Sequence, residues 1–227
     1  TGFKSFYCND CTDKLDYYTS EWKKLGFQPD GIYTGFLSSE KQVDKILDFI
    51  NSFETENTLV LVDPVMGDGG RTYSLFTDTL ACKMKKLVTV ADVITPNLTE
   101  CCILCDVDYC EFIKNADKPD FLDKIAELGK NLLNRYGVKI VIITGIEHKD
   151  IDGTMYVQNL IASKDEVFSV SCKKIGGSYS GTGDLFASVM FSGLLRGDTL
   201  RDTVSLAVKF IETSLRDTVA LGIDRNE

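Results

Sequence analysis

Three segments of the 227-residue chain combine residue types able to work on phosphate groups. The first is Gly176-Gly177-Ser178-Tyr179-Ser180-Gly181-Thr182-Gly183-Asp184, followed at once by LFASVMFSGLL. A glycine-rich loop feeding a buried helix aims several backbone N–H groups at one point, where the positive end of the helix dipole adds to them, and so makes a site for phosphate oxygens. Asp184 at the start of that helix has two readings. It is an N-terminal helix residue stabilised by the dipole, which spacing alone favours, or a general base facing the bound phosphate. The loop does not match GxxxxGK[ST], and GTGD is not GxGxxG, so neither standard nucleotide fingerprint applies.

The second segment, Val60-Leu61-Val62-Asp63-Pro64-Val65-Met66-Gly67-Asp68-Gly69-Gly70, runs from an apolar stretch into an acid, a proline and a glycine-rich turn with another acid. Two carboxylates at a strand's carboxyl end suit a hydrated Mg2+ that shares substrate phosphates. On this segment alone an ordinary turn explains Asp-Gly and Gly-Gly. In the third, Ala91-Asp92-Val93-Ile94-Thr95-Pro96-Asn97-Leu98-Thr99-Glu100, Asn97 can cap a helix and Glu100 can close a capping box, a complete structural explanation. The joint pattern says more than any one piece. All three segments follow predicted strands, so the spacing predicts that their acids and hydroxyls meet on one rim of a sheet, as Mg-nucleotide phosphoryl transfer requires.

The elements that would position them alternate. Val43, Ile46, Leu47, Ile50 and Phe53 fall at helical spacing, and Leu59 to Val62 form a continuous apolar run typical of a strand buried on both faces. Phe121, Leu122, Ile125, Leu128, Leu132, Leu133 and Tyr136 stripe a second helix, and Val138 to Ile143 supply another β-branched run. Asp30 to Phe36 and Ala91 to Thr95 give two further strands, and Thr154 to Ile161 with Val167 to Cys172 a hairpin or edge pair after KDIDG. A closing helix is predicted from Thr199 to Arg216. This alternation predicts one α/β domain over residues 1–227, with a mainly parallel central sheet and helices on both faces.

Composition narrows the partners. Lys and Arg total 25 against 34 for Asp and Glu, a net charge of -9 that repels nucleic-acid backbones. No apolar stretch approaches the roughly 20 residues needed to cross a bilayer, so no membrane partner is expected. Of eight cysteines, Cys8/Cys11 and Cys102/Cys105 form CxxC pairs too far apart for a zinc ribbon, and His148 is the sole histidine. Reduced thiols in a cytoplasmic protein are the expectation, with those of Cys101, Cys102, Cys105 and Cys110 acting as small buried hydrophobes.

At these residues the chain resembles the pyridoxal (vitamin B6) kinase branch of the ribokinase-like superfamily. The resemblance rests on Thr34-Gly35-Phe36, Asp63-Pro64-Val65-Met66-Gly67-Asp68, Ile94-Thr95-Pro96-Asn97 with Glu100, Ile143-Thr144-Gly145, and Gly181-Thr182-Gly183-Asp184-Leu185-Phe186-Ala187, in the family's order. It implies a three-layer ribokinase-like fold and ATP-dependent phosphorylation of the 5′-hydroxymethyl group of pyridoxal, pyridoxine or pyridoxamine. Under it, Asp184 becomes the base, and Gly181, Thr182 and Gly183 its anion hole. Asp63, Asp68, Tyr73, Thr95, Asn97, Glu100 and Thr144 become nucleotide-side residues. The implied Mg2+ site uses Asp68 and Glu100, partly through water, and a K+ site uses Asp63, Thr95 and Thr144. Phe36 and Thr1, with Asp184, are implied substrate contacts. The resemblance also implies a homodimer.

The chain opens at Thr1-Gly2-Phe3, which resembles a later substrate loop of the family, and ends at LGIDRNE. The expectation is therefore a domain without its amino-terminal strand and a short carboxyl-terminal piece. Two other functions compete: hydroxymethylpyrimidine kinase, which shares the GxGD logic, and a non-catalytic ligand-binding module of the same fold.

Overall fold

The computed structural model describes residues 7, 9–74, 76–116, 118–177 and 179–223. A 3-10 turn at Thr12–Lys14 leads into α1 (Leu15–Lys24), β1 (Gly31–Thr34), α2 (Glu40–Phe53) and β2 (Leu59–Val62). A short hairpin follows, β3 (Gly67–Asp68) and β4 (Arg71–Thr72), then α3 (Asp78–Val88), β5 (Val93–Ile94), α4 (Leu98–Cys105), α5 (Tyr109–Ile113) and α6 (Phe121–Tyr136). The remainder is β6 (Ile140–Lys149), β7 (Met155–Ser163), β8 (Val167–Lys173), α7 (Thr182–Arg196) and α8 (Leu200–Ala220).

The main sheet has the order β1-β2-β5-β6-β7-β8. Its first three pairings are parallel, with Thr34 opposite Val62, Val62 opposite Ile94, and Ile94 opposite Val141. The central strands are apolar on successive residues because both their faces are covered: Val60, Leu61, Val62, Val93, Ile94, Val141, Ile142 and Ile143 are fully buried. An α/β fold with a mainly parallel sheet is thus what the alternating pattern specified. The chain divides into two compact units. The larger is Asp10–Ile143 with Leu160–Phe168; the smaller has Thr144–Asn159 and the described residues from Ser169 onward.

In the larger unit α2 buries Val43, Ile50 and Phe53, and Ser39 caps it by accepting from the Gln42 N–H. Helix α6 buries Phe121, Ile125, Leu128, Leu132 and Tyr136 and ends at Gly137, whose φ of 72° closes the helix in the left-handed region. In the smaller unit α7 and α8 pack so closely that a Cβ on Gly193 would fall 2.7 Å from the Thr203 hydroxyl.

Several boundaries move. β6 starts at Ile140, because Val138 and Lys139 complete the turn in which Lys139 and Ile140 both donate to the Asp92 carbonyl. It then runs to Lys149, past the expected Ile143. The closing helix continues to Ala220, four residues beyond expectation, and Thr199 is its cap. Helix α3, which the sequence reading did not include, buries Leu80, Met84, Leu87 and Val88 at helical spacing. Helix α1 buries nothing completely, so it carries a weaker signal. Cys101, Cys102 and Cys105 are buried on α4, whereas Cys110 is exposed on α5, so the buried-hydrophobe role expected of it does not hold there.

Candidate active site

The larger unit gathers its polar residues where β2 and β5 end side by side. The Asp63 N–H donates to the Thr34 carbonyl at 2.9 Å, continuing the β1 register one residue beyond the strand, and Asp63 itself is 9% exposed. Beyond β5, the chain turns through Pro96 into α4. The Asn97 side chain accepts from the Glu100 N–H at 3.0 Å, and Glu100 Oε2 accepts from the Asn97 N–H at 2.8 Å, so the expected capping box is present.

Both residues do a second job. Glu100 Oε1 accepts from the Met66 N–H at 3.0 Å, and Asn97 Nδ2 donates to the Gly67 carbonyl at 2.8 Å. One helix start therefore also pins the segment after Asp63. Glu100 is 3% exposed, and its carboxyl is pushed up to about 8, first by burial and second by the negative charge of Asp63, against the N–H groups of Asn97, Met66 and Gly67.

Asp68 rides on the hairpin. Gly67 pairs with Thr72 and Asp68 with Arg71. Between them Gly69 and Gly70 take φ of 57° and 77°, the two positive values of a tight two-residue hairpin turn. The Asp-Gly-Gly turn is therefore real, and it carries an exposed acid over the same strand ends. Gly67 tolerates no side chain, since a Cβ there would lie 2.3 Å from the Arg71 carbonyl oxygen. Tyr73, 44% exposed, continues the segment, its N–H donating to the Met66 carbonyl at 3.1 Å. Thr34 and Thr95 stand at the ends of β1 and β5 with buried hydroxyl oxygens that have no hydrogen-bond partner. Phe36 is in the loop after β1 and is 54% exposed.

The smaller unit holds the glycine loop. Gly181, with φ of 85°, is the residue before the first turn of α7 and has no side chain with which to cap that turn. Thr182 Oγ1 donates to the Tyr179 carbonyl at 3.2 Å, and the Leu185 N–H donates to the Gly181 carbonyl. Asp184 is the third helical residue, exposed in the first turn beside exposed Gly183, so it is the N-terminal helix residue that spacing favoured, while the cap position itself is Gly181. Thr144 is half-buried on β6, before Gly145, whose N–H donates to Asn159 Oδ1. Thr1 lies outside the described residues.

The larger unit thus brings together Asp63, Asp68, Tyr73, Thr95, Asn97 and Glu100, and the smaller brings together Gly181, Thr182, Gly183 and Asp184. Sequence reasoning missed Thr99 and Tyr109, which touch the hairpin turn. Their only sequence signal is that they follow the Asn97 cap by two and twelve residues. Among the described residues no three His, Cys, Asp or Glu side chains are grouped to hold a metal ion.

Comparison with known proteins adds family membership. A Schizosaccharomyces pombe protein provisionally named a pyridoxal kinase is 30% identical over 172 residues, covering 74% of this chain and 47% of the relative. A hydroxymethylpyrimidine/phosphomethylpyrimidine kinase of Staphylococcus aureus is 27% identical over 198 residues, 87% of this chain and 66% of its own. The chain spans about half the length of the yeast relative and 66% of the staphylococcal one. Among solved structures, a Bacteroides thetaiotaomicron protein provisionally named a phosphomethylpyrimidine kinase matches with a TM-score of 0.89 at 35% identity, over 99% of this chain and 74% of that one. A second crystal form of it contains pyridoxal. The ribokinase-like architecture expected from the motifs is the fold of these neighbours. The family model described as phosphomethylpyrimidine kinase matches residues 23–226, and the chain belongs to that family.

Proposed function

We propose that this chain carries the phosphoryl-transfer machinery of an ATP-dependent kinase acting on the 5′-hydroxymethyl group of pyridoxal, pyridoxine or pyridoxamine. The observation that carries the substrate class is the pyridoxal in the crystal of the 35% identical Bacteroides protein. Support for the chemistry comes from two built features. Asn97 and Glu100 lock the Asp63–Asp68 segment at the strand ends, and the glycine-led start of α7 offers backbone N–H groups at Gly181, Thr182 and Gly183.

In this reading Asp184 accepts the proton of the primary alcohol as its oxygen attacks the γ-phosphorus of ATP; the new O–P bond forms, the bond to the β-phosphate oxygen breaks, and ADP leaves. The Gly181–Gly183 N–H groups hold charge on the transferring phosphoryl. The resemblance assigns Asp68, Tyr73, Thr95, Asn97 and Thr144 to the nucleotide and Phe36 and Asp184 to the ring alcohol; Thr1, also assigned to the ring alcohol, lies outside the described residues. Mg2+ would be held by Asp68, an exposed carboxylate, and would supply charge neutralisation to the phosphates. Glu100, whose two oxygens already accept backbone N–H groups, fits only an indirect part through water. K+ would be held by Asp63 and Thr95, whose hydroxyl oxygen is buried without a partner, and the part of Thr144 rests on the resemblance alone. The same reading takes the protein as a cytoplasmic homodimer.

A second reading, hydroxymethylpyrimidine kinase, is supported by the family model and the staphylococcal relative. Incubating the protein with Mg-ATP and each ring alcohol separately decides between them. Pyridoxal 5′-phosphate as the main product is expected. Phosphorylation of hydroxymethylpyrimidine alone overturns the first reading in favour of the second, and no product from either leaves a ligand-binding module.

A further inference from the structure

The roles assigned above leave Thr99 and Tyr109 unused, yet both sit against the tip of the β3–β4 hairpin. The Gly70 N–H donates to Thr99 Oγ1 at 2.9 Å, and Thr99 is 4% exposed. Tyr109, the first residue of α5, lays its ring against Gly70: a Cβ added there would fall 2.4 Å from Cδ1 and 2.6 Å from Cε1. Gly70 is thus required twice, for its φ of 77° and for the space the ring occupies. The Tyr109 phenol is pushed up, by burial first and by the charge of Asp68 second, which puts the hairpin's acid within its electrostatic reach.

A hairpin with two residues per strand does not hold its own position, because an isolated two-stranded ribbon is at best marginally stable. Its place is set by its ties. Glu100 and Asn97 tie its base at Met66 and Gly67. Among the described residues, Thr99 and Tyr109 are the ones that tie its tip.

We propose that Tyr109 and Thr99 are positioning residues for a nucleoside triphosphate: they latch the Gly69-Gly70 tip to the start of α4 and α5 and so hold Asp68 and Tyr73 where the phosphates bind. The proposal rests on the kinase reading above. It assigns the latch no part in ring-alcohol binding.

The test measures binding of a non-hydrolysable ATP analogue with Mg2+, binding of pyridoxal, and thermal unfolding for the wild type and five variants. Misplacing a binding group by about 1 Å can cost on the order of 10²-fold. Tyr109→Ala is therefore expected to weaken the analogue by about tenfold or more, with pyridoxal affinity and melting temperature little changed. Tyr109→Phe keeps the ring and restores affinity. Thr99→Val, which removes the acceptor for the Gly70 N–H while keeping the shape, gives a smaller loss of the same selectivity and serves where Tyr109→Ala folds poorly. Gly70→Ala weakens the analogue, and adding Tyr109→Ala to it costs little more, because the clash and the latch are one contact. A Tyr109→Ala protein that binds the analogue like wild type overturns the latch alone. So does one that loses analogue, pyridoxal and melting temperature together, or a Tyr109→Phe protein as impaired as Tyr109→Ala. A wild-type protein that binds no nucleotide removes the kinase reading and the latch with it.

Discussion

At the ends of β2 and β5, the side chains of Asn97 and Glu100 are spent on backbone groups around them. Asn97 and Glu100 cap a helix and fasten a segment 30 to 34 residues away, and both carboxylate oxygens of Glu100 accept backbone N–H groups. The start of α7 is instead open to solvent. Gly181 has nothing within 4 Å of where a Cβ would sit and no side chain with which to cap the first turn, and Asp184 is exposed. The first region behaves as a frame, where substitutions cost stability. Under the proposed kinase reading the second is a reactive edge, where substitutions are expected to cost turnover and leave the fold nearly unchanged. Buried hydrogen-bonded groups are expensive to orphan, whereas exposed first-turn residues contribute little to folding.

The largest effect should come from the reactive edge. Asp184→Asn keeps shape but cannot accept the alcohol proton, so steady-state turnover should fall on the order of 10²- to 10⁴-fold with the melting temperature unchanged. A large drop in melting temperature instead would move Asp184 into the frame.

Next comes the frame's central acid. Glu100→Ala orphans the buried Met66 and Asn97 N–H groups, and a loss of about 2–4 kcal/mol in denaturant unfolding is expected. Wild-type stability with lost turnover would turn Glu100 into a chemical residue. Its pH signature is separate. The folded carboxyl holds its proton up to about 8 against a usual 4.5, so the folded state binds more protons in that interval. The associated stability is complete below about 4.5 and lost as the pH rises through about 8, at a slope of at most about 1.4 kcal/mol per pH unit. Glu100→Gln should flatten that slope in melts taken from pH 5 to 8.

The smallest effects compare glycines. Gly67→Ala forces a methyl against the Arg71 backbone carbonyl, which cannot move aside cheaply, and should cost about 1–3 kcal/mol. Gly181→Ala meets open space, so only its φ of 85° is penalised, by about 1 kcal/mol. Equal losses at the two positions would erase the distinction between frame and edge.

Much of this molecule was determined by its sequence alone. The apolar run Leu59–Val62 becomes a strand buried on both faces, the stripe from Phe121 to Tyr136 becomes a helix with those same ends, and Asn97 with Glu100 forms the capping box its spacing requires. These are short-range consequences of periodicity and backbone hydrogen bonding, legible within one or two turns of chain. Tertiary structure alone decided that Glu100 also accepts from Met66, that burial beside Asp63 keeps its proton near neutral pH, and that Tyr109 covers Gly70. Each depends on groups 30 or more residues apart being brought into contact, and on the removal of water around them. No local pattern encodes that, because the cost of a buried charge and the space beside a glycine exist only once the chain has packed.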